Sequence, residues 1–232
     1  RISILADVSK GLNFLHTGGD QADYQAYHRD LKSGNIIIMK NYQAKLIDCG
    51  VAKFVVDDSA PIPASIATGT LGTIVGTPGY RCPQYERRQQ QKYIAACDIY
   101  SLGVVMAEVI TGYLTRQRLS PTASARTGGR KKVDLYDFFF RLPDDDEEEE
   151  YPENMLDHLD PCAGPIDEAV IKNLVALCKK CMKWKTFKRP RLAIIIRILQ
   201  KIQLDEEQSA FDEVLRDENT QGTYSCFNCF KK

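Results

Sequence analysis

Residues 98–111 are predominantly apolar on every face of the helix they would form, with Ile99, Leu102, Val104, Val105, Met106, Val109 and Ile110 closed by Gly112. Such a helix has no broad face to give to water, so it must lie inside a domain with other elements packed around it. Gly112 supplies the left-handed stop such a helix needs. The segment is the predicted axis of a single core, and 232 residues are enough to surround it.

The surrounding elements can be read by period. Residues 2–16 carry Ile4, Leu5, Val8, Leu12 and Leu15 at helical spacing. Residues 17–26 read as a polar loop. Two short β-branched runs, 36–39 and 44–47, are split by Lys40-Asn41 and read as a hairpin-like pair. Residues 51–77 are rich in Gly, Pro, Ser and Thr and hold no period, which predicts a long exposed loop. Helices are predicted again at 166–184 and 191–204. Between them and the central helix, residues 115–165 form an insertion that includes the acidic run 144–150. Residues 205–232 are expected to be a polar tail with a short helix at 209–216.

Composition narrows the function. Lys plus Arg and Asp plus Glu number 31 each, so no global field attracts nucleic acid or an anionic membrane. No apolar run is long enough to span a bilayer. The start, Arg1 within the periodicity of the first helix, predicts a fragment of a longer product. Eight cysteines are scattered without the density of a disulfide scaffold, which predicts reduced thiols in a cytoplasmic setting. The pairs Cys178/Cys181 and Cys226/Cys229 have C-x-x-C spacing, but the first lies on one face of a predicted helix and the two are far apart. Packed thiols are favoured over a zinc site.

The stretch His28-Arg29-Asp30-Leu31-Lys32-Ser33-Gly34-Asn35 resembles the catalytic loop of eukaryotic-type protein kinases. Asp48-Cys49-Gly50, after the second strand, stands where that family has Asp-Phe-Gly. Gly76-Thr77-Pro78-Gly79-Tyr80 followed by Cys82-Pro83-Gln84 looks like the end of its activation segment, residues 48–84 here. The likeness covers residues 2–203. It implies the C-terminal lobe of a kinase, mainly α with small β hairpins, within residues 1–204. The N-terminal lobe, with its Gly-rich loop and ATP-clamping Lys, is not represented in the sequence.

The resemblance also assigns roles. Asp30 would accept or orient the proton of an incoming hydroxyl, and Lys32, two residues on and on the same side of an extended loop, would neutralise the transferred phosphoryl group. Asn35 and Asp48 offer the hard oxygens that suit Mg²⁺ bridging the phosphates of ATP. Asp98 would hold the backbone of the catalytic loop while capping the central helix. His28 would pack against the metal-binding turn. Arg29 would receive a phosphate placed on the activation loop, with Ser65, Thr68, Thr70 and Thr73 as candidate acceptors. Lys32 with Thr77 resembles Ser/Thr rather than tyrosine kinases, and the general look is that of the receptor-like and interleukin-receptor-associated branch.

Two departures bear on activity. Cys49 replaces the family Phe as a smaller apolar filler and removes packing volume. Gln84 replaces the Glu that pairs with an Arg, here Arg189, so a hydrogen bond survives without its charge assistance. Three readings stay open: an active protein Ser/Thr kinase acting on protein substrates, a pseudokinase scaffold, and a small-molecule phosphotransferase.

Overall fold

The computed structural model describes residues 1–19, 25–54, 74–87, 93–115, 155–164 and 166–221. The order is α1 (Ile2–Thr17), β1 (Ala26–Tyr27), a short helical turn Ser33–Asn35, β2 (Ile36–Ile38), β3 (Ala44–Leu46), β4 (Lys53–Phe54) and α2 (Pro83–Glu86). Then follow α3 (Ala95–Thr111), the turns Met155–His158 and Pro161–Ala163, α4 (Glu168–Cys181), a turn Thr186–Lys188 and α5 (Leu192–Gln221). The arrangement is mainly helical with two small antiparallel sheets, as expected.

α3 is the axis. Nearly all its residues are buried, and Gly112 ends it at φ 68° with its N–H on the Glu108 carbonyl. It begins at Ala95, three residues before the predicted start, with Ile94 at the N-cap position. Asp98 therefore lies within the first turn, and the predicted capping role is not observed. α3 packs closely on α4 at Gly103, where an added Cβ would lie 2.6 Å from Met182 Cγ and 2.9 Å from Cys181 Cβ. On α4, Cys178 and Cys181 are both fully buried, and the Cys178 thiol donates to the Gly103 carbonyl at 3.3 Å. The Asp167 carboxylate caps α4 by accepting from the N–H groups of Ala169 and Val170.

α1 buries Ile2, Leu5, Val8 and Leu12 against this core and packs on α5 and β3. The hairpin β2–β3 pairs Ile36 with Leu46, Ile37 with Lys45 and Ile38 with Ala44. Its outer surface leaves Ile37, Ile38, Met39 and Tyr42 exposed, with Ile47 and Val51 beside it. Together these side chains form an apolar patch at this edge.

Three elements depart from the sequence reading. β1 and β4 pair across residues 26–27 and 53–54, inside segments read as loops, because a two-residue ladder carries no detectable period. α5 continues to Gln221 rather than stopping at 204, because polar helix formers extend it after its apolar stripe ends. The insertion's acidic run, the phosphoacceptor candidates and Cys226/Cys229 lie outside the described residues. Among the described residues no helix is long and apolar enough to cross a membrane.

Candidate active site

The β1–β4 and β2–β3 ladders bracket residues 28–35 and bring residue 48 beside them. The Ile47 N–H donates to the Asn35 carbonyl at 3.0 Å, fixing the strand that leads to Asp48 against the catalytic loop. His28, fully buried, makes a second clamp: its Nδ1 accepts from the Asp30 N–H at 3.3 Å, which leaves Nε2–H to donate to the Ile47 carbonyl at 3.1 Å. The side chain thus lies against the turn that carries Asp48.

Asp98 anchors the loop from below. It is fully buried, and its carboxylate accepts from the backbone N–H of His28 at 2.9 Å and of Arg29 at 3.0 Å. His16 Nε2 at 2.8 Å and the Tyr93 hydroxyl at 2.6 Å complete the shell. Burial pushes the Asp98 pKa up, but the bonds and charge of His16, with Tyr93 and the backbone donors, outweigh it and hold the carboxyl below the ordinary range. His16 and Tyr93 were not among the predicted site residues. His16 falls at the end of an amphipathic helix and Tyr93 in a short connection, so neither has a local pattern that marks it.

Arg29 holds φ 69°. Its guanidinium lies 5.8 Å from the centre of the Tyr93 ring and donates to the Val51 carbonyl at 3.4 Å. Its buried Nε has no hydrogen-bond partner.

Asp30, Lys32 and Thr77 form a closed triangle. Lys32 Nζ donates to Asp30 Oδ2 at 2.9 Å and to Thr77 Oγ1 at 2.9 Å, and the Thr77 hydroxyl donates to Asp30 Oδ1 at 2.7 Å. Burial raises the Asp30 pKa, yet the hydrogen bonds from Lys32 and Thr77 prevail and keep it below its ordinary value. Asn35 spends its amide N–H on the Asp30 carbonyl at 2.9 Å, which leaves its side-chain oxygen for another partner. Asp48 holds φ 63°, is exposed, and accepts from the nearby Gly50 N–H at 3.3 Å.

The donor chemistry fits Mg²⁺. The Asp48 carboxylate and the Asn35 amide oxygen, both hard ligands, lie at adjoining strand ends, and among the described residues no cluster of three His, Cys, Asp or Glu side chains gathers. A site with so few protein ligands suits an ion that keeps waters and takes phosphate oxygens from a substrate.

Three further findings concern residues singled out in the sequence. Cys49 is exposed rather than buried, so it does not fill the space of the Phe it replaces. Arg189 Nη2 donates to Gln84 Oε1 at 3.0 Å, joining the activation-segment end to the connection before α5. Tyr80 donates to Glu108 at 2.6 Å and lies 3.1 Å from the Ser33 hydroxyl, a buried link that sequence reading missed. Burial raises the Glu108 pKa, against the bond from Tyr80.

Comparison with known proteins places these features in context. The protein kinase domain family model matches residues 2–200. The receptor-like protein kinase ANXUR1 of Arabidopsis thaliana is 30% identical over 89% of this chain and 21% of its own length. The receptor-like serine/threonine-protein kinase NCRK of the same plant is 31% identical over 88% and 33%. Wall-associated receptor kinase-like 17 is 38% identical over 48% and 13%. The chain thus spans a third or less of the length of these relatives.

Proposed function

The chain belongs to the protein kinase domain family and resembles receptor-like kinases, and on that premise we propose that it is the C-terminal lobe of a protein kinase that transfers the γ-phosphoryl group of ATP to Ser or Thr hydroxyls of protein substrates. The observation that carries the reading is the Asp30–Lys32–Thr77 triangle. Phosphoryl transfer asks for position and charge more than for covalent chemistry, and the triangle offers both.

Asp30 stays ionised at neutral pH because Lys32 and Thr77 hold its pKa down. It acts by orienting the acceptor hydroxyl and taking its proton late, when the oxygen has grown acidic. Lys32 carries a positive charge beside that hydroxyl and toward the phosphoryl group. Asn35 and Asp48 would hold Mg²⁺, which supplies charge neutralisation at the phosphates of ATP. Thr77 fixes the distance between base and cation, and with Lys32 it supports a Ser/Thr acceptor.

Arg29 is the receptor for a phosphate on the activation loop, with Ser65, Thr68, Thr70 and Thr73 as acceptors. A kinase N-terminal lobe would cover the apolar edge at Ile37, Ile38 and Tyr42. We place the domain in the cytoplasm, where ATP and reduced thiols coexist.

A scaffold reading has one observation in its favour: Cys49, at the place of the family Phe, is exposed and does not pack beneath the site. Transfer of labelled γ-phosphate from Mg²⁺·ATP to a Ser/Thr protein acceptor, by the full parent protein and its Asp30→Asn variant, separates the two. Turnover that falls by about a hundredfold or more in the variant supports the kinase. Binding of nucleotide without turnover in either supports the scaffold.

A further inference from the structure

Arg189 is a buried cation, 7% exposed, that enters the fold between the Thr186–Lys188 turn and α5. All five of its N–H donors are engaged: Nε with the Lys183 carbonyl, Nη1 with the Ala96 carbonyl and the Cys82 sulfur, and Nη2 with Gln84 Oε1 and the Trp184 carbonyl. Its plane also lies over the Tyr100 ring at 5.1 Å. None of these partners is a carboxylate. A buried guanidinium satisfied only by neutral dipoles keeps an uncompensated charge, which is costly in a low-dielectric interior.

One contacting atom can carry the missing charge. Cys82 Sγ lies 3.1 Å from Arg189 Nη1. As a thiol it donates to Gln84 Oε1 at 3.1 Å; as a thiolate it would release that bond and accept from Arg189. Cys82 is 1% exposed and Cys97, across from it on the first turn of α3, is fully buried.

We propose that Cys82 is ionised in the folded protein and that its thiolate is the counter-ion of Arg189, taking over the charge that Gln84 does not supply. The pair is a positioning device for the end of the activation segment. Arg81, the preceding residue, binds the Gly76 carbonyl through Nε at 2.8 Å, and Gly76 adjoins Thr77 of the catalytic triangle. Holding Cys82 on Arg189 therefore fixes the stretch that delivers Thr77 to Asp30 and Lys32.

The titratable groups facing the Cys82 sulfur agree in direction. The Cys97 thiol donates to it and lowers its pKa, burial opposes, and the Arg189 charge lowers it further. Cys97 is raised in turn, by its hydrogen bond to the Cys82 sulfur first and then by burial. Tyr93, nearby at the entrance to α3, is raised as well, by burial first and then by the charge of Asp98 and, less, of Cys82, and so remains neutral.

The test reads ionisation directly, by NMR of isotope-labelled cysteine β-carbons in the whole chain, whose shift distinguishes thiol from thiolate. The Cys82 signal is identified by its loss in Cys82→Ser. The expected result is a thiolate at neutral pH, with a midpoint below the ordinary Cys value of about 8.5. In Gln84→Glu a carboxylate takes over as counter-ion, and the Cys82 midpoint rises by about one pH unit or more, a tenfold loss of thiolate. A thiol signal at neutral pH in the unmodified chain overturns the proposal, as does a thiolate whose midpoint Gln84→Glu leaves unmoved. Thermal melting gives an independent arm: Cys82→Ala lowers the midpoint of unfolding in the natural background and does so less in the Gln84→Glu background. Equal losses in both would also overturn the pairing.

Discussion

The carboxylate of Asp98 spans the backbone N–H groups of His28 and Arg29, at 2.9 and 3.0 Å, and so holds residue 29 in a left-handed conformation, φ 69°, that a long side chain rarely adopts. The bond is charge-assisted and buried. Asp98→Asn keeps one acceptor oxygen and turns an amide donor toward the others, so it should lower the unfolding free energy by about 3 kcal/mol in urea titrations. The pH dependence follows from the same bonds. The folded pKa is depressed, so this stabilisation is fully present above the ordinary Asp value of about 3.9 and is lost as pH falls from there through the folded value. The acid limb of stability against pH should flatten in the variant.

Thr77→Ala removes one of the two hydrogen bonds that depress the Asp30 pKa and frees the Lys32 ammonium from its third corner. The Asp30 pKa should rise toward its ordinary value, moving the acid limb of kcat/KM to higher pH, and phosphotransfer should fall by about tenfold, the worth of one hydrogen bond to a charged group. Thr77→Ser keeps the hydroxyl and should retain most of the rate. An acid limb that stays in place in the alanine variant would separate Thr77 from Asp30.

Gly103→Ala tests how tightly α3 lies on α4. The new Cβ would come within 2.6 Å of Met182 Cγ and 2.9 Å of Cys181 Cβ. The methionine can turn away; the Cβ of Cys181, fixed to helix backbone, cannot. Overpacking of this kind costs about 1–3 kcal/mol, and alanine returns about 1 of that through helix propensity. A net loss of about 1 kcal/mol is expected by thermal unfolding, growing with Gly103→Val.

The cysteines should divide by exposure when the native chain is alkylated and digested for mass spectrometry. Cys49 and Cys162 are exposed, whereas Cys82, Cys97, Cys178 and Cys181 are buried. The first two should label within the dead time of the experiment and the other four only on unfolding. Slow labelling of Cys49 would show that its thiol is packed rather than exposed, and would remove the observation that favours a scaffold.

Much of the candidate site was legible along the chain because its parts are local. Asp30, Lys32 and Asn35 sit within one loop, β2 is a run of three β-branched residues, and α3 announces itself by an apolar surface that cannot face water. Asp48 follows its strand at a fixed distance. In each case a few consecutive residues contain the whole signal.

What the tertiary structure alone decided are relationships between distant residues. The β1–β4 ladder joins residues 26–27 to 53–54 with too few residues to show a period. His16 and Tyr93 meet at Asp98 from opposite directions of the chain, and Glu108 meets Tyr80 across the core. Cys49 was expected in a packed place and lies in solvent, while Cys82, an unremarked residue in a short motif, lies on a buried guanidinium. The sequence determined the longer helices, the β2–β3 hairpin and the loop that carries Asp30, Lys32 and Asn35, because those follow from spacing between neighbours. Which polar groups share a buried shell, and hence which carboxylates and thiols are held ionised, follows from burial and charge compensation between segments that only the closed fold brings together.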